Sequence, residues 1–302
     1  MPLPIQIEEL YLNIINSLCD GVYFVDNERK IQFWNKAAEE ITGYSAEEMV
    51  GKCCQDSLLN HIDLAGSPLC IVGCPLFTTI VDGQQRKDRV FVRHKKGYRI
   101  PILVNIFPVY KDGEVIGAIE VFTQDSPVVY EDNLIENLAG NAMHDPLTGM
   151  PNRRYMENFL EYRFNEYKRF QKLFAVVFAD IDNFGAFNTQ YGHDAGDAVL
   201  VGIAASLGRT RRTTDLIGRW GGEELLGTYS IAKPSDAPIL AEKFRMLVEN
   251  TEVMHNDEFL KVSVSVGVTI ANETDTTKSI VERADRLMYE SKRAGKNRIT
   301  FD

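Results

Sequence analysis

Two carboxylates directly after two glycines, Gly221-Gly222-Glu223-Glu224-Leu225, are the residues of this chain best suited to chemistry. Strand-like sequence flanks them, and a Gly-Gly pair permits the positive φ angles of a two-residue hairpin, so the spacing predicts that Glu223 emerges at a turn. Upstream, Asp180-Ile181-Asp182 follows the apolar run Phe174-Ala175-Val176-Val177-Phe178, which puts Asp180 where a buried strand ends. If those strands are neighbours, the carboxylates converge. Hard oxygen ligands gathered at strand ends suit Mg²⁺, whose remaining positions are left for water and substrate phosphates. Adjacent strand residues face opposite ways, so Glu223 and Glu224 are expected to take separate roles, one a ligand and the other a positioning group or general base.

The elements that would position these residues alternate along the second half of the chain. The patterns predict helices over 154–170, 197–207, 237–249 and 280–294, strands over 174–180 and 261–270, and a hairpin centred on the glycine pair. That order fits a mixed sheet covered by helices. The first half reads differently. Short strands over 21–26 and 31–35 meet at a turn, a helical stretch runs from 36 to 41, and a meander follows over 89–94, 99–110 and 115–122. The whole chain is therefore expected to be α+β, with an antiparallel sheet and flanking helices in the first domain and a mixed central sheet in the second. Between them, Val128, Leu134, Ile135, Leu138 and Ala142 approach helical spacing. The expected division is 1–126, a helical linker over 127–143, and 144–302.

At 302 residues the chain is long enough for two cores. A formal net charge of −10 argues against a nucleic-acid surface, which needs a basic stripe to replace counterions. No apolar run approaches the roughly 18 residues of a membrane span, and the first residues do not read as an export signal, so a cytoplasmic location is expected. Five cysteines then suggest reduced thiols or metal ligands rather than a disulfide framework. No Gly-x-x-x-x-Gly-Lys-Ser/Thr stretch occurs, which excludes a P-loop nucleotide site.

Gly221-Gly222-Glu223-Glu224-Leu225 resembles the signature of GGDEF-domain diguanylate cyclases. Four further segments match in order: 144–154, Asn188 through Asp197, Ser265-Val266-Gly267-Val268, and 284–298. The resemblance implies an enzyme that condenses two GTP into cyclic di-GMP and two pyrophosphates, working as a homodimer with two Mg²⁺, or Mn²⁺, per site. It maps Asp180, the carbonyl of Ile181 and Glu223 onto the metal positions, and Glu224 beside the attacking 3′-hydroxyl. Asn188 and Asp197 fall on the guanine-reading positions, where a carboxylate accepts from N1–H and N2–H₂ as adenine's edge would not allow; both residue types also suit helix caps. Phosphates would meet backbone N–H groups near Phe184 and Gly185, at a helix N-terminus, together with Lys292 and Lys296. Arg212 and Asp215 stand at the offset of the family's product-inhibition Arg-x-x-Asp motif, although a surface ion pair would read the same. The family usually has lysine where Gly185 stands, phenylalanine at Leu225 and arginine at Lys296. The first departure motivates a second reading, a degenerate domain that binds GTP or cyclic di-GMP without making product.

The first half resembles a PAS domain, through Asp26, Trp34-Asn35-Lys36-Ala37-Ala38-Glu39 and Thr42-Gly43-Tyr44-Ser45. That resemblance implies a sensory role with an unnamed ligand. Within it, Cys54, His61, Cys70 and Cys74 could complete a four-ligand metal or redox site, or could serve as small apolar packing residues.

Overall fold

The computed structural model describes residues 7–125 and 143–302, apart from 55, 57, 72, 213 and 257. The expected linker over 127–143 lies almost wholly outside the described residues. The chain forms two compact units, 1–126 and 127–302.

In the first unit, helix α1 (Ile7–Asn16) precedes an antiparallel sheet of order β2-β1-β5-β4-β3. Its strands are β1 (Gly21–Asp26), β2 (Ile31–Trp34), β3 (Arg86–Arg93), β4 (Arg99–Lys111) and β5 (Glu114–Gln124), with α2 (Lys36–Thr42), α3 (Ala46–Met49) and α4 (Pro75–Asp82) between β2 and β3. The β1–β2 turn forms because the Asp26 carboxylate accepts from the backbone N–H groups of Glu28 and Lys30 at 3.0 and 2.9 Å. Asn35 is fully buried. Its Oδ1 accepts from Ala38 N, capping α2, and from Val22 N, while its Nδ2 donates to Ile15 and Asp20 carbonyls. One amide thus ties the start of the sheet to the first helix. Of the four helices among the described residues of this unit, one was expected from the pattern. Of the others, α1 has a half-exposed to exposed surface, α3 is a single turn, and α4 buries just Leu76 and Thr79.

In the second unit a five-stranded sheet runs β12-β11-β6-β8-β7. Its members are β6 (Phe174–Ile181), β7 (Leu216–Arg219), β8 (Glu224–Ser230), β11 (Val264–Ile270) and β12 (Ile299–Phe301); β11 and β12 are parallel and the other pairs antiparallel. Helices α5 (Arg153–Phe170), α6 (Phe184–Tyr191), α7 (His193–Gly208), α8 (Asp236–Glu249) and α9 (Thr277–Arg293) surround it. A small hairpin, β9 (Val253–His255) with β10 (Glu258–Leu260), stands apart and was not anticipated. Every residue of β6 is buried, as a central strand with covered faces requires, and Asp180 is its one charged member. Phe174, Val176 and Phe178 pack with Met156, Leu160 and Phe164 of α5 and Ile280, Ala284 and Met288 of α9. Asp180 continues that period-two series, so it faces the same side as α9. The helix sits close because Gly267 has no side chain: a Cβ there would lie 2.0 Å from the Ala284 carbonyl oxygen. Helix α7 begins four residues ahead of its expected start, at His193. Among the described residues no helix is long and apolar enough to cross a membrane.

Candidate active site

The register of β6 against β8 sets Asp180 directly opposite Glu224, and β11 sets Ser265 on its other side. Directly paired residues of antiparallel strands project to one face, so Asp180 and Glu224 share a side of the sheet. Asp180 is 8 % exposed. Its Oδ1 is buried and accepts no hydrogen bond; the Lys292 ammonium, from the last turn of α9, lies 2.6 Å away as an ion pair outside hydrogen-bonding angles. Burial pushes the Glu224 carboxyl above its ordinary range, and Asp180, Asp285 and Glu223 add to that rise. Asp285, two turns before Lys292 on α9, is raised for the same reasons, burial first and then Asp180. Asp180, Glu224 and Asp285 share the Lys292 ammonium, and Glu223 adds negative charge beside Glu224.

The turn between β7 and β8 differs from the two-residue hairpin that the glycines suggested. Neither Gly221 nor Gly222 has a positive φ. The backbone N–H groups of Trp220 and Gly221 both donate to the Glu224 carbonyl, at 2.8 and 3.4 Å, which closes a wider loop over Glu223. Gly221 is needed for another reason. A Cβ there would stand 2.6 Å from Glu224 Oε2, so glycine lets that carboxylate lie against the turn. The Glu223 carbonyl accepts from Ile181 N at 3.3 Å, which brings Glu223, half-exposed, beside the end of β6.

Arg219 holds this turn. It donates to the Gly222 carbonyl from Nε and Nη2 at 3.0 and 2.7 Å, and Nη1 contacts both Asp145 oxygens at 3.0 and 3.1 Å. Burial opposes ionisation of Asp145, but hydrogen bonds from the Thr148 hydroxyl and backbone, with Arg219, hold its carboxyl below the ordinary value. The segment at 144–154 therefore works as a brace for the carboxylate-bearing turn. Neither residue was expected in that task; the arginine just ahead of the glycine pair was the available signal. Asp182 is a buried anchor. It accepts from the Ser263 and Ser265 hydroxyls at 2.7 Å each and from Asn297 N at 3.0 Å, tying β6 to β11 and to the loop after α9.

The two residues expected to read a base lie on neighbouring helices. Asn188 is on α6, with its Oδ1 buried and without a hydrogen-bond donor; Asp197 is exposed on α7. Between them Gly196 makes room, since a Cβ there would fall 2.0 Å from Asn188 Oδ1. Neither Asn188 nor Asp197 caps a helix. Phe184 opens α6, and its ring is buried and stacked on Phe187, so only its backbone is available to a ligand. Gly185 faces open space. Lys296 Nζ donates to Asn183 Oδ1, at the N-terminus of α6. Of the second pair, Arg212 is exposed, whereas Asp215 is buried and accepts from Ser230 N and from the backbone N–H of Arg212, shaping the loop from beneath.

The residues at the end of β6 fit a divalent cation. Among the described residues no three His, Cys, Asp or Glu side chains converge on one point. Mg²⁺ does not require that, because it is commonly held by one or two carboxylates plus waters and substrate phosphates. The donor-less oxygen of Asp180, the Ile181 carbonyl and the nearby Glu223 are such a set.

The family described as "Diguanylate cyclase, GGDEF domain" matches residues 142–298. The chain belongs to the GGDEF family. A PAS-domain description matches residues 20–125. Diguanylate cyclase A of Treponema denticola is 34% identical over 189 residues, 57% of this chain and 51% of that protein. The chain spans about half or less of the length of the curated relatives it matches. Among solved structures, the diguanylate cyclase SiaD of Pseudomonas aeruginosa, crystallised with its activator SiaC, aligns with a TM-score of 0.52 at 38% identity over 55% of this chain and 65% of that one. The GGDEF domain of DgcB from Caulobacter crescentus, in complex with c-di-GMP, aligns at 0.51 and 30% identity over 53% and 93%.

Proposed function

We propose that the second unit is a diguanylate cyclase: it condenses two GTP into cyclic di-GMP and releases two pyrophosphates. The observation that carries this reading is the buried Asp180 carboxylate, ion-paired with Lys292 and set opposite Glu224 beside the Gly221–Gly222 turn. Asp180, Glu223 and the Ile181 carbonyl would hold Mg²⁺ or Mn²⁺, which when bound would supply polarisation of the α-phosphate and charge neutralisation for the departing pyrophosphate, a contribution of several kcal/mol. Lys292 and Lys296 face the phosphates together with the backbone at Phe184 and Gly185. Asn188 accepts from the guanine edge through its free oxygen, and Asp197 takes the remaining donors. Glu224 orients the 3′-hydroxyl.

The 3′-oxygen of each GTP forms a bond to the α-phosphorus of the other, the α–β P–O bond breaks, and each hydroxyl proton passes to solvent. Each unit binds one GTP, so turnover requires a homodimer with its sites face to face, and positioning supplies much of the rate. The PAS-like unit regulates how often the faces meet, product binding at Arg212 restrains turnover, and a cytoplasmic location follows from the substrate.

Incubation of the purified chain with GTP and Mg²⁺, followed by mass spectrometry, tests the assignment. Cyclic di-GMP is the expected product, and none should form with Glu223→Ala. Saturable GTP binding with no product would transfer the assignment to the binding module that Gly185 suggests.

A further inference from the structure

The first unit contains a small cavity that the cyclase reading does not use. Tyr23, Cys54, His61, Cys70, Cys74 and Glu120 line it. Three separate parts of the chain supply them: the loop after α3, the segment leading into α4, and the paired strands β1 and β5, where Tyr23 and Glu120 stand opposite one another. The four sequence candidates therefore line one cavity, and the buried carboxylate of Glu120 lines it with them.

The imidazole of His61 is flanked on both sides. Its Nδ1 lies 3.9 Å from Cys70 Sγ, and its Nε2 lies 3.7 Å from Glu120 Oε1. Neither Nε2 nor Oε1 has a hydrogen-bond partner, although both atoms are buried and Glu120 is only 3 % exposed. Polar atoms left bare in a core are costly, so their retention points to a ligand. Cys74 occupies the N-cap position of α4 but makes no side-chain cap bond, and its sulfur is uncommitted. Cys70 and Cys74 are separated by three residues, within the two to four common between paired zinc ligands. A carboxylate behind the outer nitrogen of a histidine is the usual way to fix the ring for a metal on the inner one.

We propose that the first unit binds one Zn²⁺ through Cys54, Cys70, Cys74 and Nδ1 of His61, with Glu120 orienting the imidazole from Nε2. Three thiols and one imidazole form a closed tetrahedral set of the structural type, without an open position for catalysis. As each sulfur–zinc bond forms, the thiol proton leaves to solvent, and His61 binds as neutral imidazole. Without metal, no three of these donors converge on one point among the described residues. Closure requires the cysteine side chains to turn about their single χ1 bonds.

The test uses the full chain, reduced, loaded with Zn²⁺ and dialysed. Elemental analysis is expected to give one zinc per chain, and Co²⁺ in its place should show the intense visible bands of a tetrahedral thiolate site. Cys70→Ser, Cys74→Ser and His61→Ala should lose the metal, while Cys19→Ser, at an exposed thiol outside the cavity, should keep it. Glu120→Gln should weaken binding about 10- to 100-fold without removing it. Peptide mapping guards against misfolded variants: in the unmutated chain Zn²⁺ should protect Cys54, Cys70 and Cys74 from alkylation and leave Cys19 reactive. No retained zinc, zinc surviving the Cys70→Ser/Cys74→Ser double change, or a Cys70–Cys74 disulfide as the stable form would each overturn the proposal.

Discussion

Gly196→Ala separates binding from folding at the proposed base-reading site. Gly196 lies inside α7 with an ordinary negative φ, so alanine suits the backbone and helix propensity alone favours it by about 0.5–1 kcal/mol. The added methyl, however, would sit 2.0 Å from Asn188 Oδ1, where 3.4 Å is ordinary contact, and 3.1 Å from Phe184 Cζ. The amide is the free end of a side chain and can yield by the missing distance of about 1.4 Å; the fold then loses little. Guanine recognition loses much more. A displacement of about 1 Å in a positioning contact can cost about 100-fold in turnover, and the amide here moves further than that. The expected result is a kcat/KM for GTP reduced about 100-fold, carried mainly by KM, with a melting temperature unchanged or slightly raised. Steady-state pyrophosphate release and calorimetry read the two quantities. Because the lesion acts through one side chain, Gly196→Ala on an Asn188→Ala background should cost almost nothing further. Wild-type kinetics in Gly196→Ala, or additive losses in the double change, would refute the argument that Asn188 contacts the base.

Other expectations follow from the same geometry. Gly185→Lys meets nothing within 4 Å and no positive φ, so it should fold normally and lower the KM for GTP by placing an ammonium beside the N-terminus of α6, measured by the same kinetics. Arg212→Ala removes an exposed guanidinium and should leave turnover unchanged while raising the cyclic di-GMP concentration needed for inhibition; titration with product checks it. Asp197→Ser should loosen the preference for GTP over ATP, read from competition between the two nucleotides. In the metal-free first unit, burial raises Glu120 from 4.5 to about 7. The folded state therefore keeps that proton longer than the unfolded chain, and stability falls as pH rises from about 4.5 through about 7, by about 3 kcal/mol in all. Burial lowers His61 to about 4, a loss of the opposite sense below its ordinary 6.5 that Glu120→Gln leaves in place. Glu120→Gln should thus gain stability over the unmodified chain between about pH 5 and about pH 8, in urea unfolding followed through Trp34 with Trp220→Phe as background. A gain that shrinks with rising pH would contradict the sign.

Residue order alone was enough to divide the chain into an antiparallel half and a mixed half, because alternation in 31–35 and helical spacing in 154–170 are local patterns that each element must satisfy to bury one face. It also identified the end of β6 and the glycine pair as an acidic meeting place, since an apolar strand running into aspartate and a glycine turn running into glutamate both mark strand termini. Tertiary structure decided which carboxylates meet. Strand register pairs Asp180 with Glu224 and sets Glu223 beside Ile181, and no sequence window contains that offset. The glycines illustrate the difference: composition suggested positive φ at Gly221, whereas the observed need is space for the Glu224 carboxylate. Arg219, Asp145 and Asp182 were readable as residue types but not as brace and anchor, because their partners lie tens of positions away and are chosen by packing. The same holds for Glu120, which becomes a neighbour of His61 only when β5 lies against β1. Local patterns fix the elements; contacts between distant elements fix the chemistry, and those depend on how the faces pack.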